Sequence, residues 1–347
     1  MSTKRVLVVS DGLPGHYKKT NAVAQIIRKR FDAEIEWLNV KLKFGAYRTL
    51  MRFMLNRTTR VPDANWLRMF YKIPGGIPPA PDMIVSSGGK TSFMSAWLAA
   101  HYGCPCVFIG QIRGIEKRYF TRIVASNFDF QEDGKHIRSV PATEIDPDVA
   151  AEAAEEYLRS TGLPPARRWT LVIGGNGGGY EYKPADWRNL RDKACRLAQQ
   201  HGIRWLVTTS RRTPPVAEDL FLSDEMRACA DDVLIYNRDS RVVYNAFLGL
   251  ADVIVCLEDS GKMLTESVAS GRPVLSVRPP VAKTNDRSWA LIHRFETAGY
   301  IHRMTIDELC DTDVSQFIAN HQGPAEPLMK RVREEVNEFL STLDWAA

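Results

Sequence analysis

Residues 251–274 read ADVIVCLEDSGKMLTESVASGRPV. An apolar run at 253–256 ends in Glu258-Asp259-Ser260, a helical pattern crosses 262–269, and Gly271 and Pro273 punctuate the start of a second apolar run at 273–277. Strand, helix and strand with a capping residue at the first junction make a βαβ unit, and short apolar runs suit strands covered on both faces of a parallel sheet. The alternation continues upstream. Residues 169–173, 204–208 and 233–236 read as strands, with helices at 186–201 and 216–229. Earlier still, strands at 5–10, 34–40, 83–86, 106–109 and 122–125 alternate with helices at 20–30 and 91–103. The fold class expected is α/β, two Rossmann-like doubly wound parallel-sheet domains facing across a cleft.

A chain of 347 residues suits two domains at roughly 100–200 residues each. The expected division is a domain over 1–150, a connection over 151–165 carrying an Ala/Glu-rich helix with Pro141, Pro147, Pro164 and Pro165 around it, and a second domain over 166–325. Residues 326–347 have the period of an amphipathic helix (Leu328, Val332, Val336, Phe339, Leu340) that packs back on the domains. A composition of 44% hydrophobic and 25% charged residues excludes wholesale disorder and collagen-like repeats. No apolar run reaches the roughly 18 residues of a membrane-spanning helix, and the apolar stretch at 6–9 is too short for a signal peptide. Six scattered cysteines without a CxxC pair signal neither zinc nor a disulfide framework. The expected location is cytoplasmic.

The net charge of +5 is unevenly spread. Residues 41–72 carry eight basic side chains (Lys41, Lys43, Arg48, Arg52, Arg57, Arg60, Arg68, Lys72) against one acid, Asp63. Drawn as a helix, the segment sets Phe44, Tyr47, Leu50, Met51, Met54 and Leu55 on one arc beside Arg48 and Arg52, and Trp66, Phe70 and Tyr71 follow. Basic, aromatic and amphipathic character suits peripheral contact with an anionic membrane, and a core-facing helix with solvated arginines fits the same pattern. No nucleic-acid-binding motif accompanies it, so nucleic acid is not an expected partner.

Five loops at strand ends can carry chemistry. In 10–16 (SDGLPGH), a turn shaped by Gly12, Pro14 and Gly15 sets Asp11 near His16. Such a pair suits proton transfer at neutral pH, and a capping turn with a solvated histidine is the plain alternative. In 86–91 (SSGGKT), Gly88, Lys90 and Thr91 stand at a helix start, but the P-loop spacing is absent and triphosphate hydrolysis is not supported. In 173–180 (IGGNGGGY), five glycines fall within six residues, and Gly174, Gly175, Asn176 and Gly177 suit close approach of backbone to a phosphate. In 208–214 (TTSRRTP), Ser210, Arg211 and Arg212 make an anion cradle. In 258–266 (EDSGKMLTE), Asp259 or Ser260 caps a helix whose first amides, up to Lys262 and Met263, can hold a pyrophosphate, and Glu266 can reach a ribose diol. The last three loops together read as a nucleotide-diphosphate site. No metal site is expected: Asp311-Thr312-Asp313 has DxD spacing but lies far from any strand end.

With these loops assembled, the sequence resembles a known family, the bacterial homologues of the plant mitochondrial fission (elongated-mitochondria) protein, some of which are described as glycosyltransferases. The matching stretches are SDGLPGH at 10–16, PDMIVSSGGKTS at 81–92, IGGNGGG at 173–179, TTSRRTP at 208–214 and the 251–274 segment. The glycine loop departs from the pattern in lacking a serine expected near it. The resemblance implies a GT-B arrangement, with the nucleotide-sugar donor in the C-terminal domain and the acceptor in the N-terminal one. It puts residues 174–179 and 260–263 on the diphosphate, Glu266 on the ribose, and His16 where related enzymes place a base. The function expected is metal-independent and cofactor-independent transfer of a sugar from a nucleotide-diphosphate donor to a lipid-linked or glycan acceptor, such as the lipopolysaccharide core, peripheral on the inner membrane. A nucleotide-sugar 2-epimerase shares the layout, and the plant relatives suggest a non-catalytic membrane adaptor.

Overall fold

The computed structural model describes residues 3–58, 61, 63–125, 134–138, 142–283, 286–324 and 328–342. The chain forms two compact units, residues 1–144 with 329–347, and residues 145–328. In the first unit, β1 (Arg5–Ser10), β2 (Glu34–Asn39), β3 (Met83–Ser87), β4 (Cys106–Ile109), β5 (Arg122–Ala125) and β6 (His136–Arg138) make a parallel sheet in the order β2-β1-β3-β4-β5-β6. Alternate residues of the central strands feed two cores. Leu7, Val9 and Ile84 join Met51 and Leu55 of α2 (Tyr47–Arg57) and Phe93 and Trp97 of α3 (Thr91–Tyr102). Val6, Val8, Met83 and Val85 join Val23 and Ile27 of the helix Pro14–Phe31, here α1, together with Val332, Val336, Phe339 and Leu340 of the C-terminal helix Lys330–Ser341. Residues 326, 327 and 343–347 of the expected tail helix lie outside the described residues, as does Arg60.

The second unit is a parallel sheet of β7 (Arg168–Val172), β8 (Arg204–Thr208), β9 (Ala230–Leu234), β10 (Val253–Leu257), β11 (Val274–Arg278) and β12 (Ile301–Thr305). Its order, β9-β8-β7-β10-β11-β12, is the doubly wound dinucleotide-fold order. Residues 151–165, expected as a connection, largely belong to the helix α4 (Pro147–Thr161) of this unit. Pro147 is a first-turn residue there, Asp146 caps the helix by accepting from Val149 N–H at 3.0 Å, and Gly162 ends it at φ 65°. The Ala/Glu-rich helix is present, but it belongs to the second unit and is not a connection between the two. The helix expected over 216–229 is broken into Pro215–Phe221 and Asp224–Cys229. No helix among the described residues is long and apolar enough to cross a membrane.

Each sheet reverses its winding between two adjacent central strands, β1 and β3 in the first unit and β7 and β10 in the second. Loops leaving the carboxyl ends of such a pair diverge and open a crevice where ligands of this fold class bind.

Candidate functional site

At the first reversal, the loop after β1 is only three residues long, because α1 starts at Pro14 rather than at residue 20. His16 therefore stands in the first turn of a helix. Gly12 adopts φ 73°, and its N–H donates to Ser10 Oγ at 3.1 Å. His16 Nδ1 lies 2.9 and 3.0 Å from the two Asp11 carboxylate oxygens. A carboxylate only accepts, so Nδ1 donates, and in the neutral imidazole Nε2 then carries the lone pair. The Asp11 side chain is nearly buried at 7% exposure, while His16 is 33% exposed. Burial pushes the Asp11 carboxyl up, but the His16 hydrogen bond, the His16 charge and the Leu13 N–H outweigh it, leaving the group below its usual range.

The β3 loop forms the floor under this pair. Gly88 adopts φ 109°, and a Cβ there would stand 2.5 Å from His16 Nδ1. Only glycine admits the ring. Gly89 lies against Arg113 in the same way. Thr91 is buried, and its hydroxyl is within 2.8 Å of the Ser87 and Gly88 carbonyl oxygens, so it fastens the turn. Lys90 is exposed at the start of α3, and Gly15 faces open space. The arrangement is an imidazole oriented by a carboxylate, with the unbonded nitrogen able to take a proton.

The second reversal is built differently. Gly174 and Gly175 follow β7, and the residues after β10 and β8 press into them: a Cβ on Gly174 would overlap the Asp259 carboxylate, and one on Gly175 the Arg212 carbonyl. The glycines here admit protein rather than an open ligand channel. Gly175 N–H donates to Asp259 Oδ2 at 3.1 Å, and Arg212 pairs with the same oxygen. The Asp259 side chain is fully buried and its Oδ1 has no hydrogen-bond partner. Burial pushes its carboxyl up to about 6, against the opposing pull of Arg212. The Arg212 side chain is 35% exposed, so part of its fork remains open. Arg211 is exposed, and Ser210 Oγ accepts from Arg212 N–H at 3.2 Å.

Gly177, Gly178 and Gly179 have φ of 148°, 63° and 94°, and Gly177 exchanges both backbone bonds with Tyr180 to close a tight turn. Asn176 Oδ1 accepts from Tyr182 N–H at 2.8 Å. The Ser260 hydroxyl caps the helix Gly261–Ala269 by accepting from Met263 N–H at 3.4 Å. Glu266 is buried rather than on a solvated face, and pairs with Lys262 at 3.3 Å. Sequence reasoning missed a second buried carboxylate. Glu258 takes a forked pair of bonds from Arg303 at 2.6 and 2.8 Å, with Tyr180 donating at 2.6 Å and Ser276 at 3.2 Å. Its place beside Asp259 at a strand end was the available signal; Arg303, in an unassigned edge strand, offered none.

The sequence pattern of the mitochondrial fission ELM1 family matches residues 14–331. The chain belongs to the mitochondrial fission ELM1 family. No curated protein sequence matches it. Solved structures share its fold over nearly the whole length. The UDP-GlcNAc 2-epimerase of Methanocaldococcus jannaschii aligns with TM-score 0.58 at 11% identity, covering 98% of this chain and 99% of that one. The Neisseria meningitidis UDP-GlcNAc 2-epimerase bound to UDP-GlcNAc gives 0.55 at 12%, covering 97% and 99%. MnaA of S. aureus with UDP gives 0.53 at 12%, covering 98% of each. These likenesses establish the α/β fold with two parallel-sheet Rossmann-like domains, the GT-B type.

In this ELM1-family chain the basic segment is split between core and surface. Tyr47, Met51, Met54 and Leu55 pack inward, whereas Phe44, Leu50, Phe53, Trp66 and Met69 are exposed. Arg48 and Arg52 are exposed with them, and the Arg57 guanidinium lies 5.0 Å from the centre of the Phe53 ring. One side of α2 is core, and the other is an apolar and cationic surface.

Proposed function

We propose that this protein is a glycosyltransferase that moves a sugar from a nucleotide-diphosphate donor to a membrane-associated glycan or glycolipid hydroxyl, such as the lipopolysaccharide core. The observation that carries this reading is the pair of strand-reversal sites on one chain. One presents an oriented histidine; the other presents Arg212, Arg211 and a helix N-terminus. The M. jannaschii and N. meningitidis enzymes of the same fold act on UDP-GlcNAc, and the latter was solved with it bound. The donor diphosphate would lie against Arg211, Arg212 and the first amides of the helix Gly261–Ala269, with Gly177 and Asn176 beside it and Glu266 toward the ribose. His16 Nε2, with Nδ1 held by Asp11, takes the proton of the acceptor hydroxyl as its oxygen bonds to the anomeric carbon. The bond from that carbon to the diphosphate oxygen breaks, and guanidinium and helix amides hold the departing charge without a metal or other cofactor. Apolar and cationic side chains of 41–72 would rest on the cytoplasmic face of an anionic membrane that carries the acceptor.

A thermal-shift panel of nucleotide diphosphates and their sugars tests the donor site. At about 100 times Kd, an upward shift worth about 2.7 kcal/mol is expected; no shift with any nucleotide favours a non-catalytic adaptor. The structures of TM-score 0.53–0.58 described above include UDP-GlcNAc 2-epimerases, which supports epimerisation as the second reading. Turnover of a nucleotide sugar with no acceptor present would decide for it.

A further inference from the structure

A buried carboxylate in the middle of an anion site is an electrostatic contradiction. Asp259 is fully buried, one of its oxygens has no partner, and the guanidinium that compensates it belongs to a side chain 35% exposed and so open to an incoming anion. Its place is imposed by the chain, since Gly174 and Gly175 leave room for it and for the Arg212 backbone, and Gly175 N–H holds it. An anionic ligand that draws Arg212 away leaves an uncompensated buried charge, which is strongly unfavourable. Resting on the nucleotide-sugar reading above, we propose that Asp259 is an internal counter-ion that yields Arg212 to the ligand's diphosphate and takes up one proton from solvent as it does so.

The surroundings leave the proton as the available compensation. Glu258, next in the chain, is already neutralised by Arg303 and bonded by Tyr180. Tyr182 and Cys256, the other titratable groups coupled to Asp259, are held in their neutral forms, both pushed up by burial. Lys262 on the adjoining helix pairs with Glu266. Burial has already pushed the Asp259 carboxyl up to about 6 against the pull of Arg212, and losing that guanidinium to an incoming diphosphate pushes it further up, so that the complex holds the proton.

The test is calorimetric titration of UDP-GlcNAc into the full chain, wild type and Asp259→Asn, at pH 5.5, 7 and 8, in buffers of low and high ionisation enthalpy. The diphosphate diester of this probe does not titrate in that range. Wild type is expected to take up close to one proton per ligand at pH 8, with Kd rising about tenfold per pH unit above 7. Asp259→Asn is expected to take up none and to bind about tenfold or more tightly than wild type at pH 8, the two converging at pH 5.5. Binding without proton uptake in wild type overturns this proposal and leaves the donor reading standing, and that arm needs no variant. Uptake that survives in Asp259→Asn, or a variant that binds no better at pH 8, overturns it also. No binding by wild type at any pH overturns both.

Discussion

The two strand-reversal loops of this chain use glycine to opposite ends. In the first unit Gly88 makes room for an imidazole whose far nitrogen stays open, and the carboxylate beneath it is well partnered. In the second, Gly174 and Gly175 make room for a carboxylate that is buried and half partnered, while the cation stays partly open. The reading proposed above makes the first a base and the second an anion receptor. Each lies at a strand reversal of its own sheet, and the difference lies in which groups the glycines admit.

The comparison breaks most visibly in turnover. His16→Ala is expected to lower the rate of transfer by about 10²–10⁴-fold with donor affinity little changed; steady-state kinetics with an identified acceptor check this, and unchanged turnover removes His16 from the role. Stability comes next. Gly174→Ala forces a methyl into the Asp259 carboxylate and is expected to destabilise the second unit by about 3 kcal/mol, whereas Gly15→Ala, facing open space, should stay within about 0.5 kcal/mol of wild type by denaturant unfolding.

The two carboxylates also titrate in opposite senses. Asp259 in the folded chain holds its proton up to about pH 6, above its ordinary 3.8. Stability therefore rises as pH falls through that window, by up to about 3 kcal/mol, and Asp259→Asn should lack the rise. Asp11 is displaced downward, so its contribution is present above 3.8 and is lost only as pH falls through its lower folded value. Urea melts from pH 7 down to pH 3 separate the two, Asp259 acting between pH 6 and 4 and Asp11 only below pH 4. The smallest effect is expected at the surface: Arg48→Glu with Arg52→Glu should reduce binding to anionic liposomes severalfold at low salt, read by sedimentation, and unchanged partition leaves α2 as a core helix with solvated arginines.

Most strands were legible because a strand covered on both faces is a short apolar run, as at Val6–Val9 and Val253–Leu257. Polar segments escaped. Ile301–Thr305 carries His302 and Arg303, and the Tyr244–Leu250 helix is too short for its period to stand out. Pro14 falls in the turn expected over 10–16, yet it starts a helix, as Pro147 does, because a proline suits the first helical turn. The chemistry-bearing loops were legible from their place after strands. What each glycine admits was not: Gly175 and Asp259 lie 84 residues apart and meet only through the pairing of β7 with β10. Glu266 shows the same gap, since its burial depends on what packs over its helix.

The most direct measurement is the structure of the full chain crystallised with UDP-GlcNAc. The account expects the diphosphate against Arg212 and the N-terminus of the helix Gly261–Ala269, with the guanidinium turned toward it from Asp259. Ligand density elsewhere, or an Arg212–Asp259 pair left undisturbed by a saturating ligand, would contradict it.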